Sequence, residues 1–131
     1  MQPCDDLKNL VVQLYKSEAL GGLVDFARQL YSHQVGVMVI GSDPKDGYKD
    51  YEAIIRFYEA ASAAVLDINL VELNAYREST VGWVVDRVMA RLPHGIEIPI
   101  RHTYVFHQEN EAWKIVHTHI SIGVPDEDIA K

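Results

Sequence analysis

Past about Val65 the chain stops repeating its apolar residues at helical spacing and alternates them with period two to Ile122. Four long strands fit this stretch: about Val65 to Glu78, Val81 to Leu92, Ile96 to Glu109 and Ala112 to Ile122. The breaks between them are too short for anything but hairpins, so the strands form an antiparallel meander. His94-Gly95 suits a two-residue turn because glycine tolerates positive φ; Asn110-Glu111 and Ser79-Thr80 are read the same way.

The preceding half is helical with one interruption. Leu7, Leu10, Val11 and Leu14 recur at helical spacing behind Asp5 or Asp6 as a cap, and Gly21-Gly22 ends that helix. Leu23, Phe26, Ala27, Leu30 and Tyr31 repeat the pattern, so two helices come first as a hairpin. The β-branched run Val35 to Ile40 predicts a short strand, closed by the loop Gly41 to Gly47. Asp50 then caps a third helix whose apolar face holds Tyr51, Ile54, Ile55 and Tyr58. The predicted class is α+β: three N-terminal helices on a strongly curved antiparallel sheet, one domain over residues 1–131.

With all three turns taken as two-residue turns, the strands can be aligned. One face carries Tyr76, Trp83, Phe106 and Ile115 in a row, then Asn74, Val85, Tyr104 and His117, then Glu72, Arg87, His102 and His119. An acid, a guanidinium and two imidazoles side by side on an aromatic and aliphatic surface make a candidate site. The other face, with Leu73, Val84, Val105 and Val116, then Asp86, Thr103 and Thr118, then Val71, Val88, Arg101 and Ile120, is apolar too. Helices on one side cannot cover both faces, so the reading predicts a homodimer through the convex face, with Asp86, Arg101, Thr103 and Thr118 partly buried in it.

Several function classes drop out. A formal charge of −7 with scattered Lys and Arg argues against nucleic acid, and no run approaches the ~20 apolar residues of a membrane helix. The N-terminus lacks the basic and apolar regions of a secretory signal, so the cytoplasm is expected. Cys4 is the one cysteine, lies in a terminus read as loose, and receives no role. His117 and His119 share a strand face at a spacing compatible with metal, but alternation alone produces that spacing, and no metal is assigned.

Motifs add a resemblance. Ile40-Gly41-Ser42-Asp43-Pro44, Val81-Gly82-Trp83, the run Arg91 to Thr103 and the run Trp113 to Ser121 resemble SnoaL-like members of the nuclear transport factor 2-like superfamily. The last run also resembles the calmodulin-dependent kinase association domain. The resemblance covers nearly the whole chain and implies a pocket between the concave sheet and the helices, lined by Tyr104 and Phe106. The superfamily includes ketosteroid isomerases, polyketide cyclases, dehydratases and non-catalytic binding or assembly domains, so fold alone leaves activity open. The catalytic sets of ketosteroid isomerases and scytalone-type dehydratases do not map onto this sequence residue by residue.

Two functional expectations follow. In one, the chain binds a small-molecule ligand without a cofactor, with Arg87, Tyr104, His117, Trp83, Tyr76, Asn74 and Phe106 lining the pocket and Arg87 holding a carboxylate. In the alternative, it is a cofactor-independent isomerase, cyclase or dehydratase acting on a small apolar oxygenated substrate. His102 or His119 is then the base, Glu72 orients it, and Arg87 and Tyr104 stabilise oxyanion charge. Asp43 could reach the pocket mouth or simply open a turn.

Overall fold

In the computed structural model, which describes residues 1–62 and 67–130, helices cover one face of a curved, unclosed sheet of seven strands. In chain order the elements are β1 (Gln2–Pro3), α1 (Asp5–Ala19), α2 (Leu23–Leu30), β2 (Met38–Ile40), β3 (Gly47–Tyr48) and α3 (Tyr51–Ala61). Then come β4 (Asp67–Glu78), β5 (Val81–Arg91), β6 (Glu97–Glu109), β7 (Ala112–Ser121) and the short α4 (Asp126–Ile129). The strand order is β1-β4-β5-β6-β7-β2-β3.

The helices form where apolar periodicity places them. Leu7, Val11 and Leu14 of α1, Leu23, Ala27 and Leu30 of α2, and Ile54, Ile55 and Tyr58 of α3 are buried. They pack on Ala75, Val84, Tyr104, Phe106 and Ile115 of the sheet, and this single cluster is the core. Asp50 caps α3 by accepting from the Ala53 amide at 2.8 Å. Asp5 and Asp6 do not cap α1; they lie inside its first turn, where carboxylates favour the helix dipole, and the N-cap is Cys4.

Other expectations shift at the edges. The N-terminus is not loose: β1 pairs with β4, the Cys4 amide donates to Ala75 O at 3.1 Å, and Cys4 is buried. The strand expected over Val35 to Ile40 shrinks to β2, since Gly36 has φ +103 and Val35 is fully exposed. Its pairing with β7 is parallel, and β3 arises inside the expected loop, so the sheet is mixed. The Val65 start expected for β4 lies outside the described residues.

The largest correction is one of register. From Glu72 to Glu78 β4 pairs with β5 as read, with Glu72 opposite Arg87, Asn74 opposite Val85 and Tyr76 opposite Trp83, but a bulge at Val71 sets Leu70 rather than Val71 opposite Val88. Between β5 and β6, however, the turn is a three-residue loop, Pro93-His94-Gly95. The Gly95 amide donates to Leu92 O at 2.9 Å, the Leu92 amide donates to Ile96 O at 2.8 Å, and Gly95 has φ +89. A type I turn followed by a left-handed glycine is the usual three-residue hairpin. It puts Asp86, not Arg87, opposite His102. A one-residue shift reverses which side chains face the helices.

A second irregularity lies between β6 and β7. The Asn110-Glu111 turn is the two-residue turn expected, with φ of +52 and +68, and Phe106 stays opposite Ile115. Beyond that a bulge inserts Val116, so Thr118 rather than His117 falls opposite Tyr104. The inner face therefore carries Ala75, Val84, Asp86, Val88, Tyr104, Phe106 and Thr118, all buried, with His102 beside them. Glu72, Asn74, Tyr76, Trp83, Arg87, His117 and His119 belong to the outer face.

Gly82 is where α1 meets β5, and a Cβ built there would collide with the Leu7 side chain and stand 3.0 Å from Tyr76 O. Gly82→Ala should destabilise the fold by about 1–3 kcal/mol through overpacking. Urea denaturation should show a lower midpoint at unchanged slope; an unchanged midpoint would mean that α1 is not seated against this strand.

Candidate functional site

Four side chains meet between α1 and the inner sheet face. Tyr15 follows the buried Leu14 one turn beyond Val11, and therefore points at the sheet. Asp86 lies mid-strand on β5, His102 directly across from it on β6, and Tyr104 two residues further along. Asp86 is 1% exposed. A carboxylate in that position must find donors.

It finds two. His102 Nδ1 lies 2.8 Å from Asp86 Oδ1, and the Tyr15 hydroxyl donates to Asp86 Oδ2. Since a carboxylate can only accept, Nδ1 carries the proton, and His102 is held in the tautomer whose Nε2 has a free lone pair. Tyr15 Oη is also 3.0 Å from Tyr104 Oη and 3.1 Å from His102 Nδ1. With its own proton committed to Asp86, Tyr15 accepts from the Tyr104 hydroxyl. The His102 ring stacks on Tyr104 with centroids 5.4 Å apart. Every polar hydrogen of the cluster is thus committed inward, and His102 Nε2 is the remaining free imidazole acceptor.

The local field follows from burial. Burial pushes the Tyr15 hydroxyl far above the ordinary phenol range, and the neighbouring Asp86 charge adds to it. Tyr104 is raised well above that range by burial, then by Tyr15. Glu18, one turn beyond Tyr15, is raised by burial and partly drawn back by His102. A second hydroxyl chain runs beside the first: Tyr31 Oη is 2.6 Å from Tyr58 Oη and 2.7 Å from Thr118 Oγ1. Burial pushes Tyr31 up to about 12 and Tyr58 well above its usual value.

Of the residues singled out from sequence, the structure brings His102, Tyr104 and Phe106 to the inner face. Glu72, Arg87, Asn74, Tyr76, Trp83, His117 and His119 are separated from them by the sheet itself. Glu72 and Arg87 form an exposed ion pair with 3.5 Å between Oε2 and Nε. His117 Nδ1 donates to Met38 O at 3.0 Å, and its ring centroid is 6.2 Å from that of His119. Among the described residues no cluster of three or more His, Cys, Asp or Glu side chains could hold a metal, and no helix is long and apolar enough to cross a membrane. Asp43 stays within its own turn, accepting from the Lys45 amide at 2.8 Å.

Sequence reasoning missed Tyr15 and Glu18, and assigned Asp86 to the wrong face. A signal was present for the first two. The stripe Leu7, Val11, Leu14 continues through Tyr15 and Glu18, so polar groups extend a buried face.

A profile of the SnoaL-like domain family matches residues 10–125. No curated protein matches the chain. Among solved structures, a nuclear transport factor 2-like protein of unknown function from Pseudomonas putida superposes with a TM-score of 0.83 at 11% identity, over 95% of this chain and 89% of that one. A candidate dehydratase of the same superfamily from Streptomyces avermitilis gives 0.78 at 12%, over 92% and 96%. A candidate ketosteroid isomerase from Shewanella frigidimarina gives 0.74 at 19%, over 86% and 92%. At these identities the likeness is one of fold.

The buried tyrosines predict an alkaline limit. In the unfolded chain a tyrosine ionises near 10, whereas Tyr31 in the fold ionises at about 12 and Tyr15, Tyr58 and Tyr104 are raised as well. Stability from these groups is fully present below about pH 10 and is lost above it, by up to ~1.4 kcal/mol per pH unit for each group. Urea midpoints taken from pH 8 upward with absorbance at 295 nm should be flat to about pH 10 and then fall. A flat profile to pH 11.5 would contradict the buried hydroxyl network.

Proposed function

Because this chain belongs to the SnoaL-like domain family, we propose that it holds a small apolar, oxygenated molecule between its helices and the inner sheet face, against His102 Nε2. The observation that carries this reading is the 2.8 Å contact between the buried Asp86 carboxylate and His102 Nδ1. It fixes the imidazole tautomer before any ligand arrives and supports the imidazolium that would form after proton uptake. The surrounding rings of Tyr15 and Tyr104 supply an apolar wall with no uncommitted charge.

This arrangement favours proton transfer over simple retention of a ligand, and no cofactor is needed for it. His102 Nε2 removes a proton from a carbon next to a carbonyl, Asp86 stabilises the cationic ring, and Glu18, whose carboxyl is raised by burial, lies in the field of the same imidazole. Isomerisation and dehydration both begin with such a step, in keeping with the names of two structural neighbours, a candidate ketosteroid isomerase and a candidate dehydratase. Arg87 has no part in it: its side chain is 62% exposed on the other side of the sheet.

We also propose that a second copy of the chain covers part of the outer face. Support comes from the cross-strand row Tyr76, Trp83, Val105 and His117, flanked by Val81 and Val85. Tyr76, Val81 and Val85 are each about 40% exposed on a face that no helix covers. Arg101 and Thr103 remain on that face, whereas Asp86 and Thr118 do not. The cytoplasm, where Cys4 stays reduced, remains the proposed compartment.

The catalytic reading is tested by hydrogen–deuterium exchange at the α-carbon of cyclic ketones and enones. His102→Gln should abolish exchange, and Asp86→Asn should lower it by about 10²-fold or more with the fold retained. Exchange that survives His102→Gln would exclude His102 as the base. Separately, Trp83→Glu should convert a dimer into a monomer by light scattering. A wild-type protein that is already monomeric at micromolar concentration would remove the second copy.

A further inference from the structure

The lower part of the outer face holds an unbalanced charge. The register sets Arg87 directly opposite Arg101, with Glu72 beyond Arg87 and Ser121 beyond Arg101. Glu72 reaches Arg87 Nε at 3.5 Å, while Arg101 has no acidic partner among the described residues and donates from Nε to Ser121 Oγ at 3.1 Å. Two guanidiniums therefore share one carboxylate, and like charges directly opposite each other on a sheet repel. In a chain of formal charge −7 this is not a reflection of general basicity.

The same place is concave. Val85, Arg101, His102, Thr103, His119 and Ser121 line a cavity of about 410 Å³, with Thr103 and His119 as direct cross-strand neighbours. Gly123 lies beside the guanidinium, and a Cβ there would stand in van der Waals contact, 3.7 Å from Arg101 Cζ and Nη2. Ser121 Oγ accepts from Arg101 and so keeps its own proton to donate elsewhere.

We propose that this concavity binds a phosphoryl group, as inorganic phosphate or the end of a phosphomonoester. The guanidinium offers paired N–H donors along one wall, and the Thr103 and Ser121 hydroxyls and the His119 ring offer donors from other directions. A planar carboxylate engages donors in one plane, whereas a tetrahedral phosphoryl group with several terminal oxygens can use donors from three sides. Bound there, the anion also compensates the Arg87–Arg101 repulsion. The site borders His102, which contributes to its lining, and it shares Val85 with the flank of the Tyr76–Trp83–Val105 row.

The test is a titration of the full chain with potassium phosphate, followed by ¹H–¹⁵N resonances at constant ionic strength held with potassium chloride. Amides of Thr103, His119 and Ser121 should shift saturably in the millimolar range. Arg101→Ala should weaken the response by about tenfold or more, and His119→Ala should weaken it to a lesser degree, with inner-face resonances in place in both variants. Equal shifts with chloride or acetate, a response untouched by Arg101→Ala, or a response that only tracks a change of mass by light scattering would overturn the proposal.

Discussion

A carboxylate buried under a helix is the constraint on which the rest of this structure turns. Asp86 is almost without solvent, and a charge so placed is tolerated only when its oxygens are met by donors of good geometry. One donor comes from the neighbouring strand and one from α1, so the ion's requirement fixes the seating of α1 on the sheet. Charge-assisted hydrogen bonds of this kind contribute about 1.5–3 kcal/mol, and removal of one partner costs more than the bond contributes, because the other is left stranded. The hydroxyl chain Tyr58–Tyr31–Thr118 does the same for α3 and β7. Polar contacts thus set the helix positions that the apolar core, being non-directional, cannot set alone.

That constraint also sets the state of the imidazole beside it. The hydrogen bonds that satisfy Asp86 leave His102 with its Nδ1 proton committed and its Nε2 free. A group ready to accept a proton is a by-product of folding rather than an added feature, which is how a site can be held in geometry before a ligand enters. Glu18 extends the arrangement toward the end of α1, with its carboxyl raised by burial and opposed by the same imidazole.

Much of the fold was legible because the signals were redundant. Three helices declared themselves by buried residues at helical spacing and, for α3, by the Asp50 cap. The β4–β5 register was legible since Ser79-Thr80 is a true two-residue turn, with Ser79 at φ +55. The register between β5 and β6 was not. Pro93-His94-Gly95 accommodates either loop length, and the usual arbiter, alternation of apolar and polar residues, is missing from β5. Val81, Trp83 and Val85 alternate with Gly82, Val84 and Val88, so both faces read as buried. The bulge at Val116 left no sequence signal at all, and it carried His117 and His119 to the outside.

The ambiguity could have been resolved by asking which charge the inner face can satisfy. The two registers differ in whether Asp86 or Arg87 is covered by α1. A buried guanidinium presents five donors and needs several acceptors, and α1 offers toward the sheet a leucine-rich stripe with a single hydroxyl, Tyr15, and one carboxylate, Glu18, a turn further on. A buried carboxylate needs donors, and Tyr15 with the facing His102 meets both oxygens. Arg87 gains more by staying in water beside Glu72, where its long stem can lie on the apolar outer face. Counting donors against acceptors for each register selects the observed one, and with it the pairing of Asp86 with His102. For strands apolar on both faces, the satisfaction of the few polar side chains is therefore a stronger guide to register than hydrophobicity.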